Sequence, residues 1–215
     1  MGLTAKVSRK KLDEQVSKYG GDSKTLEVGA YGKPSYSRFF TNKVGLDVRE
    51  GPGVDVVGSV YELPFEDESF ETVLCMVVME HLEYPPKAIA EMHRVLKPGG
   101  RILVSVPFLF PIHDSPGDYW RFTKYGLQIL FKDWDIETLQ AETTMNETFA
   151  VLLQRVGYQS QFYANSFMKV LVFSLAWILA RMPKLTRQMY GDLTKSYKEP
   201  EAFTSSFFLV AKKRI

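Results

Sequence analysis

Cysteine is nearly absent. Cys75 is the only one in 215 residues, so no internal disulfide can form and packing and hydrogen bonding must hold the fold together. It sits inside the apolar run TVLCMVVM, the setting of a buried structural thiol rather than a nucleophile. Net charge is nearly absent too: 27 basic residues stand against 25 acidic ones. Such a balance leaves no concentrated basic field and argues against an obligate nucleic-acid binder. No apolar segment follows the basic residues of MGLTAKVSRKKLDEQVSKYGG, so a secretory signal is not expected and a cytoplasmic location is. The strongly apolar stretch Phe167–Met182 falls short of the ~20 residues that span a bilayer and contains Lys169. The three histidines are scattered and form no recognisable metal motif, so no metal is expected. Internal repeats and low-complexity tracts are also missing.

The composition that remains, 45% hydrophobic and 24% charged, belongs to a globular chain long enough for one substantial core. Residues 1–23 read as a charged, helical lead-in that ends at Gly20-Gly21. Residues 24–145 form the core, 146–201 a helical insertion, and 202–215 a final strand. Within the core, TLEV, KVGLDV, VDVVGSV, SFETVLCMVVM and RILVSVPF are β-type runs. SYSRFF is expected to start a helix, and PPKAIAEMHRVLKPGG reads as a helix with a proline start and a glycine stop. Continuous apolar strands separated by helices predict an open α/β sheet, largely parallel, with helices on both faces. WDIETLQAE and AFTSSFFLVAKK supply two further strands, and antiparallel pairing is expected at that edge.

In such sheets ligands bind beyond the carboxyl ends of the strands, near the point where strand order reverses. The first exit reads TLEVGAYGKP. Gly29 and Gly32 allow close backbone approach to a ligand, but a dinucleotide fingerprint would need a third glycine. Asp47 ends the second strand, where a carboxylate can accept hydrogen bonds from two ribose hydroxyls.

Read together, LPF (63–65), SFE (69–71), MEH (79–81) and RVLKPGG (94–100) resemble the class I S-adenosylmethionine-dependent methyltransferases. The resemblance is to the small-molecule, type 11-like group and runs from about Lys24 to Phe131. It implies a Rossmann-like methyltransferase sheet with S-adenosyl-L-methionine as cofactor. On the matching positions, Glu27, Gly29, Ala30 and Gly32 would surround the methionine part and ribose, and Asp47 would hold the ribose diol. Val48 would pack on the adenine, Ser59 and Val60 would meet its edge, and Met76 and Val77 would lie near the sulfonium. Ser59 stands where the family commonly has aspartate, and Ala30-Tyr31 replaces a smaller pair.

After the fifth strand, PFLFPIHDSPGDYWRFTKYGL gathers polar and aromatic residues at a strand exit. Its pattern resembles methyltransferases of sugar, cell-envelope or secondary-metabolite pathways. His113 is the candidate general base, with Asp118 or Asp114 orienting it and Arg121 clamping the substrate. Tyr119 and Trp120 would form a substrate wall. His81 is a rival with a structural reading of its own, and His93 is a packing or solvated residue.

The leading functional expectation is methyl transfer to a small-molecule acceptor, at an oxygen of a sugar-containing or lipid-linked compound. Carbon methylation of a quinone-like aromatic and a non-catalytic cofactor-binding scaffold are the alternatives. The insertion is expected to cover the acceptor pocket, or to meet a membrane surface or a second subunit in a homodimer.

Overall fold

The computed structural model describes residues 6–32, 36–159, 165–182 and 201–215. Its strands are β1 (Thr25–Val28), β2 (Lys43–Asp47), β3 (Val56–Val57), β4 (Phe70–Met76), β5 (Leu96–Pro107), β6 (Asp135–Ala141) and β7 (Ser206–Lys212). They form one sheet in the order β3-β2-β1-β4-β5-β7-β6. Every residue of β1 is buried, as a strand covered on both faces requires. The antiparallel pairing expected at one edge comes from β7, which runs against both β5 and β6. β7 itself lies inside the sheet, and β6 holds the edge.

The period of two along β4 explains the layers. Val73 and Cys75 face a core shared with α2 (Pro85–Val95) through Ala88, Ile89 and Met92, and with Leu127 of α3 (Lys124–Leu130). Leu74 and Met76 face a second cluster with Leu12 and Val16 of α1 (Val7–Val16) and with Tyr36 and Phe40. A fully buried leucine or phenylalanine of this kind contributes roughly 1.5–3 kcal/mol. Burial also pushes the Cys75 thiol well above its ordinary pKa, in keeping with an inert core thiol.

Two local expectations are corrected. SYSRFF does not start an α-helix; Tyr36–Phe39 make a single 3-10 turn, whose amides at Tyr36 and Ser37 donate to the Glu27 carboxylate. The α2 helix stops at Val95, short of the glycines, because Lys97 precedes Pro98 and is biased to extended backbone, while Leu96 pairs with Phe70. The described residues of the lead-in, from 6 onward, pack on the sheet: besides Leu12 and Val16, Arg9 stacks 4.1 Å from the Tyr36 ring centroid and Asp13 lies 2.6 Å from Arg38.

The insertion contributes α4 (Met145–Gln159) and α5 (Asn165–Arg181). They meet through Ala150, Val151 and Ala176 and where Phe173 lies over Gly157, at which a Cβ would come 2.8 Å from the ring. α4 also docks on α1: the Val7 amide donates to Gln154 and Lys11 pairs with Glu147 at 3.0 Å. Phe167, Val170, Leu171, Leu175 and Ile178 leave an apolar stripe of α5 exposed. No helix of the described residues is long and apolar enough to cross a membrane.

Candidate functional site

Strand order reverses between β1 and β4, since the chain builds β2 and β3 on one side of β1 and β4, β5, β7 and β6 on the other. The crevice there opens at the carboxyl ends of the strands. It holds an open cleft of about 730 Å³, within the usual range for small-molecule sites. Val28, Gly29 and Tyr31 contribute from the β1 exit, Asp47, Val48 and Arg49 from the β2 exit, and Gly58 to Tyr61 from the β3 exit. Val77, Val78 and His81 to Glu83 follow β4, and Asp114, Gly117 and Tyr119 come from the loop after β5.

The predicted cofactor residues divide into two groups. Gly29, Asp47, Val48, Ser59, Val60 and Val77 line the cleft. Gly29 adopts φ 75, and a Cβ there would meet the Val78 side chain. Asp47 is buried and oriented by three donors: the amides of Tyr31 and Arg49, at 3.3 and 3.0 Å, and Arg49 Nε at 3.3 Å. Ser59 Oγ accepts from the Tyr61 amide at 3.2 Å. Val77 has φ 56, a costly conformation for a β-branched residue and one that clusters at functional sites.

Glu27, Ala30, Gly32 and Met76 do not line the cleft. Glu27 is buried under the 3-10 turn, where its carboxylate accepts both amides named above, so it shapes the loop from behind. Ala30 and Met76 are buried, and Gly32, with φ 89, donates its amide to the Pro52 carbonyl. Sequence reasoning missed Arg49 and Tyr61, which reach the cleft only because the β2 and β3 exits converge. Arg49 also stacks 4.2 Å from the Tyr31 ring centroid.

The loop after β5 is tied to the β4 exit. The amides of Tyr119 and Trp120 donate to the Glu80 carbonyl, and Trp120 Nε1 donates to the Leu82 carbonyl at 2.7 Å. Tyr119 lines the cleft, but Trp120 faces a separate groove with Tyr84, Pro85 and Leu130, so the two do not form one wall. Arg121 is a loop tie rather than a free clamp. Its nitrogens donate to the carbonyls of Phe110, Pro111 and Trp120 and, twice, to Asp118 at 2.7 Å. That grip holds the Asp118 carboxyl well below the usual range.

The histidines are not scattered in space. The His81 and His113 rings lie 5.1 Å apart, edge to face, because β4 and β5 are neighbours and their exits converge. His113 does not line the cleft; it stands behind His81, which does. Its Nδ1 lies 3.2 Å from Asp118 Oδ2, a contact too bent for a hydrogen bond, and burial pulls its pKa below the ordinary value. His81 Nδ1 is 2.6 Å from the Gly117 carbonyl. Both Nε2 atoms are 3.9 Å from Oε1 of Glu80. Glu80 is fully buried, and neither of its carboxyl oxygens has a hydrogen-bond partner among the described residues. Burial pushes this carboxyl up to about 8. Glu80 stands in the sequence only as the middle of the MEH motif, which gives it no chemical role of its own.

No described residue of α4 or α5 lines the cleft. Arg155 of α4 stacks 4.3 Å from the Phe110 ring centroid in the loop after β5, and residues 160–164 and 183–200 of the insertion lie outside the described residues.

Residues 38–104 match a family described as a methyltransferase domain. The ubiquinone/menaquinone biosynthesis C-methyltransferase of Paracoccus denitrificans is 28% identical over 135 residues, covering 58% of this chain and 53% of the relative. The chain thus spans about half the length of the curated relatives it matches. Among solved structures, the 1,6-didemethyltoxoflavin-N1-methyltransferase of Burkholderia thailandensis, with S-adenosylhomocysteine bound, aligns with a TM-score of 0.57 at 16% identity, over 97% of this chain and 79% of that one. The [4+2]-cyclase SpnF aligns with a TM-score of 0.60 at 17% identity, over 95% and 81%. These likenesses establish the Rossmann-like methyltransferase fold.

Proposed function

We propose that this chain, with its methyltransferase-domain match over residues 38–104 on the class I methyltransferase fold, is an S-adenosylmethionine-dependent methyltransferase of a small molecule. The observation that carries the reading is Asp47, a buried carboxylate aimed into the cleft at the end of β2. Three donors from its own chain orient it, and a carboxylate has about four acceptor sites, so capacity remains for a ribose hydroxyl. Gly29 presents bare backbone to the ligand, and the exposed Val48 offers an apolar face for a purine. When bound, S-adenosylmethionine supplies a methyl group on a sulfonium, which a positioned nucleophile can accept.

The chain's own part is positioning, which can account for much of such a rate, and handling the acceptor's proton. We place the acceptor between Tyr61 and Tyr119, with Glu83 and Asp114 in reach of its hydroxyls. These polar residues support an oxygen of a sugar-containing or lipid-linked compound as the methylated atom. A hydroxyl at this end of the cleft meets His81, the member of the Glu80–His81–His113 cluster that lines it, and a lone pair on that ring serves to weaken its O–H bond. The name of the Paracoccus relative favours a second reading, carbon methylation of a quinone-like aromatic, which the same tyrosines would stack against. The exposed stripe of α5 supports a homodimer contact or peripheral membrane contact away from the cleft.

The test is calorimetric titration with S-adenosylmethionine and S-adenosylhomocysteine. Binding is expected for the wild-type protein and its loss for Asp47→Ala. Absence of binding at millimolar ligand, or equal binding by the variant, would overturn the reading.

A further inference from the structure

We infer that Glu80, His81 and His113 form a binding site for one divalent transition-metal cation at the inner wall of the cleft. The inference starts from where the protons must be. The Gly117 carbonyl can only accept, so the His81 ring proton lies on Nδ1, 2.6 Å away, and its Nε2 carries a lone pair. Asp118, gripped by two nitrogens of Arg121, stays ionised, and its charge 3.2 Å from His113 Nδ1 favours the ring proton there electrostatically, though the contact is too bent for a hydrogen bond. The Nε2 of His113 then also carries a lone pair. Both lone pairs sit 3.9 Å from Glu80 Oε1, beyond the reach of a hydrogen bond. Two imidazole lone pairs therefore converge on a fully buried carboxyl that has no hydrogen-bond partner among the described residues, and the spacing leaves all three unsatisfied by one another.

A cation removes that conflict. One ligand atom from each of the three residues lies within 4.8 Å of the other two. Two metal–ligand bonds of about 2.1 Å at a tetrahedral angle place their ligands about 3.4 Å apart, so the 3.9 Å spacings need to close by roughly half an ångström. The surroundings are those of a metal site as well. A ligating imidazole is commonly oriented by a carbonyl or carboxylate at its other nitrogen, and here Gly117 and Asp118 occupy those two places. Two imidazoles and one carboxylate suit zinc, with cobalt and manganese as alternatives by ligand type. His81 lines the cleft, so a cation held on its Nε2 would lie beside it. On the methyl-transfer reading, a cation there would bind the acceptor oxygen and lower the pKa of its hydroxyl.

The test reads metal binding directly, so it stands or falls separately from methyl transfer. The full chain, treated with chelator, would be titrated with Zn²⁺ by calorimetry and with Co²⁺ by visible absorption. We expect one equivalent bound, with weakening of ~100-fold or more in His81→Ala and in His113→Ala, since loss of an orienting partner alone costs 10–100-fold. Asp118→Asn should fall in that smaller range. Glu80→Gln, equal in size to the native residue, should also lose binding and guards against a folding failure in the alanine variants. His93→Ala should bind as the wild type, because His93 packs on Trp134 at a 4.9 Å centroid distance. No binding by the wild-type chain, or unchanged binding by the His81→Ala/His113→Ala double variant, would overturn the site.

Discussion

Glu142 should make the protein less stable as pH rises through neutrality, and removing its charge should abolish that effect. The residue follows β6 and is buried, with Ser105 of β5 donating a hydrogen bond to its carboxyl. Burial raises its pKa from 4.5 to about 7, with the Ser105 bond opposing. Below pH 4.5 the group is neutral in both the folded and unfolded chain, and its full contribution to stability is present. Between 4.5 and 7 the unfolded chain ionises while the folded one resists, so stability falls. Above about 7 the loss is complete. The difference of 2.5 between those two values corresponds to roughly 3 kcal/mol.

Glu142→Gln keeps the shape and an oxygen for Ser105 but cannot ionise. Urea unfolding of both proteins at intervals from pH 4.5 to 8.5 would give a stability difference at each pH, from which contributions shared by the two chains cancel. Any constant cost of the substitution shifts the whole curve. The charge effect appears as a rise of roughly 3 kcal/mol in favour of the variant across the window. At pH 8 that corresponds to a melting temperature higher by several degrees, relative to the pH 4.5 comparison. A difference curve flat over the window would show that Glu142 is not held in the environment described, and would refute the reasoning.

Other substitutions separate backbone from packing effects at the cleft. Gly29→Ala meets both a left-handed φ and the Val78 side chain, whereas Gly32→Ala, with φ 89, has nothing among the described residues within 4 Å of the new Cβ. Thermal unfolding should therefore show a loss of about 1–2 kcal/mol for Gly32→Ala, from the backbone alone, and a larger one for Gly29→Ala, which should also weaken cofactor binding. Equal losses would mean that Val78 yields freely. Arg121→Lys cannot reproduce five directed donations from one planar group, so the loop between Phe108 and Arg121 should become more sensitive to limited proteolysis while the sheet keeps its far-ultraviolet circular dichroism. Unchanged cleavage would remove Arg121 from its role as the loop tie.

The α/β sheet, the strand assignments and the exits where ligands would gather were legible because β-branched runs buried on both faces leave an unbroken apolar pattern. Asp47 and Gly29 could be placed for the same reason, since each sits at a fixed offset from such a run. The single 3-10 turn after β1 was not legible: Glu27 captures two backbone donors there, an interaction between residues that local propensity cannot weigh. Nor was the division of labour in the loop after β5. Arg121, Asp118 and His113 were picked out as chemistry-bearing side chains, but only the folded chain shows five arginine donations spent on the loop itself, with His113 behind His81. Glu80 appeared only as part of the MEH motif, with nothing to show that it would be buried, and His81 and His113 lie far apart along the chain. Their convergence depends on β4 and β5 being neighbours in the sheet, and a buried carboxyl without a partner can be recognised only when everything around it is in place. Local pattern thus determined the elements and the line of strand exits. Tertiary structure decided which polar groups face one another across those exits, because long-range pairing of strands, rather than spacing in the chain, sets those distances.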